Sequence, residues 1–462
     1  MRWLPVLVAA CGACSARMTS PPAPDAPTVW PTCTGDPRAT PESLAQKAAL
    51  YDARVTALYT TPQTPWVMDV QLAPGIDPET ATAADVAVWR TGENDGLWSS
   101  LVLAAEAYRY ATTHDPSARA ALATLLHGEQ LRMQITGVPG LFVRQLIPPN
   151  VPGLACPTDP AAYTPSPDKT SNVWVMIDAH GCANGTTHCG LDAFANWCFK
   201  DNVSQDEYAG HVFALGAIVR YVDDPELHAI AADLLAQIGH HLADHGMEFV
   251  DWDGRPTQWG KLHPGAPGDT PGYLAVLGAA VMATCALADP SLPVPDPTPY
   301  LDQIDLWSGP DGCTSNWNDI SMLTAAFFAM PQLQSTFDAT LVAPPRGILT
   351  EHNAWYDLLY AARTPSPAIV EDAACALREF PRSNHQVAHA QSAASACTGR
   401  FAEPMAAAPF SIADRCAATF AWWGNPYEIG SCTDDATLVD NPAGYLLPYW
   451  MARYHGFLDA TD

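Results

Sequence analysis

The sequence of 462 residues predicts an all-α protein, an (α/α)6 toroid in which six inner helices are ringed by six outer helices. The first observation is a set of six segments that are apolar on nearly every face, as expected for helices buried on both sides. The second is that amphipathic segments lie between them, so that fully buried and half-buried helices alternate. An open helical solenoid gives the same alternation without closure and is the alternative.

The predicted helices follow this alternation along one domain, residues 35–462. The inner helices are predicted at residues 96–112, 208–222, 272–288, 319–330, 354–362 and 443–458. The outer helices are predicted at residues 41–59, 116–135, 225–245, 298–307, 332–341 and 366–380. The segment 41–59 is expected to pack against the last inner helix.

The N-terminus predicts export. Residues 1–14 combine one Arg, a short apolar run and small residues with two cysteines, as in a bacterial lipoprotein signal. We expect a lipid anchor on Cys11, with Cys14 as the second choice, and an ordinary signal peptide with incidental cysteines is the alternative. Residues 15–34 are rich in Pro and predict an extended tether. The expected location is the bacterial cell envelope, as an outer-membrane lipoprotein or a periplasmic or extracellular protein.

The charge excludes one class of partner. The chain has 22 Lys and Arg against 49 Asp and Glu, a formal net charge of -27. Nucleic-acid binding rests on neutralising phosphates, so DNA and RNA are not expected as partners. The same charge disfavours a polyanionic polysaccharide as substrate. We expect a monomer.

The cysteines beyond the signal favour disulfides, as is usual in exported proteins. The pairs predicted from spacing are Cys156–Cys198, Cys182–Cys189, Cys375–Cys397 and Cys416–Cys432. Cys285 lies in an apolar run and is expected to be a buried free thiol. Residues 146–200 form a long Cys-rich insertion, predicted to be an ordered lip over the site. An Asp-Gly turn predicts a β-hairpin over residues 248–260.

Polar turns precede all six inner helices. In a toroid the inner helices run parallel, so these turns would meet on one face, here called the rim. The rim acids would be Glu93, Asp95, Asp206, Glu207, Asp269, Asp319, Glu351 and Asp440. The aromatic residues beside them are Trp98, Tyr208, Tyr273, Trp317, Trp355 and Tyr445. For any single turn, helix capping alone is the better explanation of the polar residue, but caps do not require an aromatic residue beside each turn.

Glycoside hydrolysis requires two facing carboxyl groups, one of them protonated. The candidate catalytic residues are Asp95, Asp206, Glu207 and Asp319, with Asp95 or Asp206 expected to oppose Asp319. Ser204 and Glu207 have the spacing of a capping box, which would leave Asp206 free for chemistry. The candidate substrate-binding residues are Asn94, Trp98, Arg144, His211, Trp259, Trp317, Asn384, His385 and Asn425. No metal and no cofactor is expected.

The strings ENDGLW, SQDEYAGH, DGRPTQWG, GNPYE and LLPYWMARYHG resemble those of a set of exported bacterial proteins of unassigned activity. More broadly, the chain is similar to the (α/α)6-toroid carbohydrate-active enzymes, which include glycosidases, polysaccharide lyases and sugar epimerases. The resemblance implies a glycan substrate.

Three functions follow as expectations. The first is a glycoside hydrolase acting on a neutral or weakly charged glycan. The second is a polysaccharide lyase, in which His211 or His385 is the base and a cation or Arg144 neutralises a uronate. The third is a surface lipoprotein that binds glycan or protein without catalysis, its acids serving as helix caps only.

Overall fold

The computed structural model describes residues 42–266, 271–303, 317–333, 349, 351–387, 395–398, 404–430 and 433–462, and for residues 317–319 it describes the backbone alone. The predicted signal and tether, Asp269, and most of the predicted outer helix at 332–341 lie outside these ranges. So do the side chains of Trp317 and Asp319.

The described residues form ten α-helices. They are α1 (Leu44–Ala57), α2 (Asp95–Thr113), α3 (Pro116–Gln134), α4 (Gln205–Tyr221), α5 (Pro225–Asp244), α6 (Pro271–Cys285), α7 (Trp317–Ala329), α8 (Ala354–Ala361), α9 (Pro367–Glu379) and α10 (Ala443–Tyr454). All six predicted inner segments are therefore helical. Of the outer segments, the one predicted at 298–307 instead begins as a 3-10 helix, Thr298–Gln303.

The six inner helices contact one another in a cyclic order. Helix α2 contacts α4, α4 contacts α6, α6 contacts α7, α7 contacts α8, α8 contacts α10, and α10 returns to α2. The other helices pack against this set: α1 on α10, α3 on α2, α5 on α4 and α6, and α9 on α8. None of the described helices combines the length and the apolar character that crossing a membrane requires.

Local sequence explains the starts of the outer helices. Asp115 and Asp224 cap α3 and α5, each accepting from backbone amides of the first turn, and each is followed by Pro at the first helical position. Ser43 caps α1, and Gln46 reaches back to the amide of Ser43, which completes a capping box.

Short strands supplement the helices. They are β1 (Asp69–Leu72), β2 (Val86–Arg90), β3 (Gln145–Ile147), β4 (Trp174–Met176), β5 (Cys198–Lys200), β6 (Glu248–Val250), β7 (Pro256–Lys261), β8 (His385–Gln386), β9 (Ser395–Thr398), β10 (Pro404–Ala406) and β11 (Asp435–Val439). One sheet has the order β2-β1-β11-β8, so it joins both ends of the described chain. Strands β6 and β7 pair antiparallel, which confirms the predicted hairpin.

The Cys-rich insertion is ordered. Its three strands form a sheet of order β3-β5-β4. The disulfides Cys156–Cys198 and Cys182–Cys189 are present as predicted, and Cys285 is a buried free thiol. Cys375 and Cys416 are also disulfide-bonded.

Candidate active site

The first turns of α2 and α4 lie side by side because two glycines allow the helices to approach. A Cβ on Gly96 would come within 2.5 Å of Glu207 Oε2, and a Cβ on Gly210 within 2.6 Å of the Leu97 side chain. The two predicted rim turns, ENDG and SQDE, are thereby brought together. This contact is the best-defined part of the rim.

Glu207 is the link between the two helices. Its side chain is fully buried, and Oε2 accepts from the backbone amide of Leu97 at 3.1 Å. Burial raises its pKa, and the charge of Asp206 adds to this, although His211 and Arg144 act in the opposite direction. Glu207 therefore occupies one of the unpaired amides at the start of α2, a position that favours a negative charge.

The predicted capping box at Ser204 is wrong. Ser204 is the N-cap residue of α4, but its side chain makes no capping hydrogen bond. Its hydroxyl donates instead to Asp206 Oδ1. Glu207 is not available for the box because it is turned away toward α2.

Asp206 is half-buried, whereas Asp95 and Glu207 are buried. Asn94 Nδ2 donates to Asp206 Oδ2 at 3.0 Å, and Arg144 donates to Asn94 Oδ1 at 2.8 Å. Asn94 thus holds Asp206 from α2 and is itself held by Arg144. Among the candidate catalytic acids whose side chains are described, Asp206 is the most open to solvent.

Asp95 is a buried acid. One carboxylate oxygen accepts from the amide of Gly92, and Oδ2 has no hydrogen-bond partner. Burial raises the pKa of Asp95 well above its usual value, and the charges of Asp69 and Glu207 raise it further against the opposing Arg132. Asp95 therefore lies buried beneath the rim surface, where its surroundings favour the protonated form.

Arg144 and His211 lie beneath the rim as well. Arg144 is buried and donates to the backbone carbonyls of Glu93 and Asn202 in addition to Asn94. His211 is fully buried and contacts Ser100 and the carboxylates of Glu129 and Glu207. Both side chains support the rim residues from behind, and neither is placed in the open for contact with substrate.

Aromatic side chains connect the start of α2 to the starts of α8 and α10. Trp98 is half-buried in the first turn of α2 and meets Trp423 edge to face at 5.9 Å. The neighbouring Trp422 donates to the carbonyl of Gly444 in α10 and accepts from Asn353, which caps α8. The segment 420–423 therefore joins the starts of α2, α8 and α10.

Asp440 and Asp69 form a second acidic pair at the start of α10. Asp440 accepts from Gln386 at 2.8 Å and pairs with Arg90 at 3.4 Å. Burial, together with the charge of Asp69, raises the pKa of Asp440 to about 7. Asp69 accepts from Thr419 and is also raised in pKa by burial. Sequence reasoning missed Asp69 because it begins a strand, not a helix.

The other predicted binding residues are distributed around this rim. Trp259 is 48% exposed on β7, and the adjacent Gln258 bonds to Asn202 beside the rim. Asn384 is buried and donates to the carbonyls of Ala418 and Asn441. Trp259 is thus open to a ligand, whereas Asn384 is used by the fold.

His385 and Asn425 also differ in whether the side chain is open to a ligand or used by the fold. His385 is half-buried and lines a cavity of about 220 Å³ together with Arg415 and Phe380. Asn425 Oδ1 accepts from the amide of Tyr427, which closes a turn. His385 borders open space, and Asn425 stabilises its own loop.

The insertion reaches the rim through Glu93. Lys200 donates to one oxygen of Glu93 at 2.6 Å and Asn172 to the other at 3.2 Å. The hydrogen bond from Lys200 lowers the pKa of Glu93. The predicted lip therefore contacts the rim beside Asn94.

A larger cleft, of about 490 Å³, lies elsewhere, between α1 and α3. Asp52 of α1 and Arg109 of α2 line it and pair with each other at 3.4 Å, and Trp450 of α10 donates to Asp52. Arg109 and Trp450 lie in the C-terminal halves of their helices, whereas the rim lies at the N-terminal ends. We do not assign the candidate site to this cleft because its charged groups satisfy one another.

Metal ligands are not grouped in the described ranges, where no set of three or more His, Cys, Asp and Glu side chains could hold an ion. His241 and His245 have the four-residue spacing of metal ligands, but both bond within the fold, and His245 Nδ1 lies 2.7 Å from the carbonyl of His241. His241 accepts from the amide of Val250 and bonds to the carbonyl of Pro139, so both of its ring nitrogens are occupied.

No family model and no curated protein matches this sequence. Among solved structures, the chain is similar to the cellulase Cel9M of C. cellulolyticum, with 12% identity and a TM-score of 0.37 over 92% of this chain and 99% of that chain. It is also similar to a single mutant of a thermostable endoglucanase from Alicyclobacillus acidocaldarius, at 12% identity and TM-score 0.36, covering 90% of this chain and 84% of the other. The GH family 9 endoglucanase J30 gives 12% identity and TM-score 0.33 over the same shares. At such scores the likeness carries no inference about activity.

Proposed function

We propose that this protein is an exported carbohydrate-active enzyme, a glycoside hydrolase that cleaves a glycan at the rim where α2, α4 and α10 begin. In this proposal the cyclic helix contacts close into an (α/α)6 toroid. The observation that carries it is a pair of acids in contrasting environments. Asp206 is half-buried and accepts two hydrogen bonds, whereas Asp440 is buried, at 3% exposure, and its pKa is raised to about 7.

This contrast suits acid and base roles. Hydrolysis of a glycosidic bond needs one carboxyl that donates a proton and one carboxylate that activates water or attacks the sugar. We assign the proton donor to Asp440 and the carboxylate to Asp206. Other buried acids couple the two electrostatically. The charge of Asp69 raises the pKa of both Asp440 and Asp95, the charge of Glu207 raises that of Asp95, and the charge of Asp206 raises that of Glu207.

Substrate contacts in this proposal come from the exposed and half-exposed groups. Trp98 offers an aromatic face beside Asn94, and Trp259 offers a second platform on the hairpin. We also retain Asp319 and Trp317, at the start of α7, as proposed site residues on the side of the rim opposite Asp206. The disulfides of the insertion support an oxidising compartment and thus export, with Cys11 or Cys14 as the proposed lipid anchor.

The polysaccharide lyase is the second candidate, and one residue supports it. Arg144 and His211 are buried in the scaffold, so of the lyase residues expected from sequence His385 alone borders a cavity. A lyase would release unsaturated uronates, which absorb in the ultraviolet, whereas a hydrolase would release saturated reducing ends.

The test is hydrolysis of a panel of neutral and uronate-containing polysaccharides by the purified protein. We expect release of reducing ends, and a loss of about 100-fold or more in Asp206→Asn and in Asp440→Asn, as for removal of an acid or base. Asp233→Asn, on the exposed face of α5, is the matched control and should keep the wild-type rate.

Three outcomes count against the assignment. Wild-type rates in both rim variants would refute the site. Unsaturated products would favour the lyase. Binding of glycan without turnover would favour the non-catalytic lipoprotein.

A further inference from the structure

A buried polar compartment lies behind the rim, between α2, α3 and α4. Its centre is His211, whose Nδ1 bonds to Glu129 Oε2 and lies 2.9 Å from Ser100 Oγ. On the other side of the ring, Nε2 lies 3.6 Å from Glu207 Oε2. All of these side chains are at most 1% exposed. The imidazole therefore stands between two buried carboxylates.

The ring is also fixed by its aromatic neighbours. Phe142 stacks on His211 with 4.1 Å between ring centroids and 9° between planes. Tyr208, one helical turn away, meets it edge to face at 6.1 Å. His211 cannot turn toward another partner without moving these rings, so its two nitrogens stay directed at Glu129 and Glu207.

The two carboxylates that face His211 favour a proton on it. Nδ1 lies against Glu129 and Nε2 against Glu207. The buried cations of the same compartment, Arg132 and Arg144, donate to backbone carbonyls and to Asn94 and are hydrogen-bonded to neither carboxylate. Buried charges require partners, since an uncompensated one costs several kcal/mol. An imidazolium ion supplies the missing positive charge. The titratable and charged groups facing the compartment from the packed elements are Asp95 on α2, Glu129 and Arg132 on α3, Glu207 and Asp206 on α4, and Arg144 in the loop after α3.

We propose that His211 is a built-in proton site: as an imidazolium ion bridging Glu129 and Glu207, it holds Glu207 on the amide of Leu97 and so keeps the first turns of α2 and α4 in register. His211 is a positioning residue, because it acts on the rim through Glu207 and touches no open surface. The claim that His211 thereby positions Asn94 and Asp206 for catalysis rests on the proposed function, whereas the protonation of His211 does not.

The pH dependence follows from the same contacts. Burial opposes the charge on His211, but the carboxylates of Glu129 and Glu207 outweigh it and raise the pKa of the ring. A group whose folded-state pKa is raised binds its proton more tightly in the folded chain. Its stabilising contribution is therefore complete below about pH 6.5, the value of an ordinary histidine, and is lost as pH rises through the folded-state pKa.

The experiment is nitrogen-15 NMR of histidine-labelled protein, with the His211 signal identified by its absence in His211→Gln. We expect both ring nitrogens to be protonated at about pH 7.5, one unit above the ordinary value. Glu129→Gln removes the anion and keeps the shape, and it should leave a neutral ring at that pH. Ser100→Ala removes an uncharged neighbour of the same nitrogen and should leave the ring charged.

Amide hydrogen exchange measures whether protonated His211 holds the first turn of α2 in place. In Glu129→Gln, peptides covering the first turn of α2 should exchange about tenfold faster than in Ser100→Ala, because the Leu97 amide loses a fixed acceptor. A neutral His211 in the wild type at about pH 7 would overturn the proposal whatever the variants do. Equal ring charge in the two variants would also overturn it. Neither result bears on whether the rim hydrolyses glycans, which the assays of Asp206 and Asp440 decide.

Discussion

At the scale of single residues, Gly96 determines how closely α2 and α4 approach. Glu207 Oε2 and His211 Nε2 pack directly against its Cα. A Cβ at this position would lie 2.5 Å from Glu207 Oε2 and 2.7 Å from His211 Nε2. These atoms belong to fully buried side chains held by other contacts. The polar compartment therefore requires a residue without a side chain at position 96.

We expect Gly96→Ala to destabilise the protein by about 1–3 kcal/mol, the usual effect of overpacking, despite the better helix propensity of Ala. Gly444→Ala is the control. It lies in the first turn of α10, where a Cβ would meet the Phe380 ring edge at 3.1 Å, a longer approach than either contact at Gly96. Urea denaturation of both variants measures the difference, and a neutral Gly96→Ala would mean that the two helices are less tightly held than described.

Glu207 shows what sequence patterns can and cannot predict about the site. The sequence predicts the helix start at Ser204 and the position of Asp206 and Asn94 in the polar turns that precede inner helices. The role of Glu207 was not predicted, because the capping box is a local pattern, whereas its actual partner, the Leu97 amide, is 110 residues away in the chain. Spacing alone cannot rank a local partner against one brought in by packing.

At the scale of elements, Lys169 joins the Cys-rich insertion to the β6–β7 hairpin. Its amino group lies 2.7 Å from Asp201 and 2.8 Å from Asp251, and all three residues are at most 4% exposed. A third carboxylate, Asp253, is 3.3 Å away. One cation thus neutralises acids from two elements.

Replacing Lys169 by Met should therefore cost about 3–5 kcal/mol at neutral pH, since two buried carboxylates lose their counter-ion. The loss should shrink below about pH 6, because burial and Asp251 already raise the pKa of Asp201 to about 6 and protonation removes the repulsion. Lys200→Met breaks the pair with exposed Glu93 and should cost at most about 1 kcal/mol. Denaturant titrations at two pH values compare them, and equal losses in the two variants would contradict this account.

The elements also differ in how far the sequence predicted them. The long helices were predicted because their apolar periodicity is strong, and the β6–β7 hairpin because Asp-Gly marks the turn. The sheet β2-β1-β11-β8 was not predicted. Its strands are short, and Val70 pairs with Val439 across nearly the whole chain. Asp69 and the acidic pair it forms with Asp440 were missed for that reason.

At the scale of the whole molecule, the chain keeps many acids in its interior. The buried acids with raised pKa are Asp52, Asp69, Asp95, Glu106, Asp201, Glu207, Asp357 and Asp440. Burial is the first cause in each case. Asp115 and Asp168, by contrast, are exposed, and hydrogen bonds to their carboxylates lower their pKa.

This distribution gives an unusual pH dependence of stability. An acid whose folded-state pKa is raised binds its proton more tightly when folded, so its contribution is present at low pH and is lost as pH rises from its unfolded value through its folded value. With pKa values of about 6 for Asp52, about 7 for Asp440 and about 8 for Glu106, the loss extends from about pH 4 to about pH 8. Self-repulsion within a chain of net charge -27 acts in the same direction.

We therefore expect the thermal unfolding midpoint to be several degrees higher at about pH 5 than at about pH 8, the reverse of the acid lability that paired surface carboxylates produce. Glu106→Gln should flatten the upper part of this slope, since burial and the charge of Asp52 raise the pKa of Glu106 to about 8 and Gln carries no proton to lose. Asp435→Asn should leave the slope unchanged, because hydrogen bonds from Thr437 lower the pKa of Asp435 and it stays ionised across this range. Calorimetry across this range checks the prediction. A midpoint that rises with pH would mean that the interior acids are ionised and paired in the folded chain, and it would remove the basis for treating Asp440 as the proton donor at the rim.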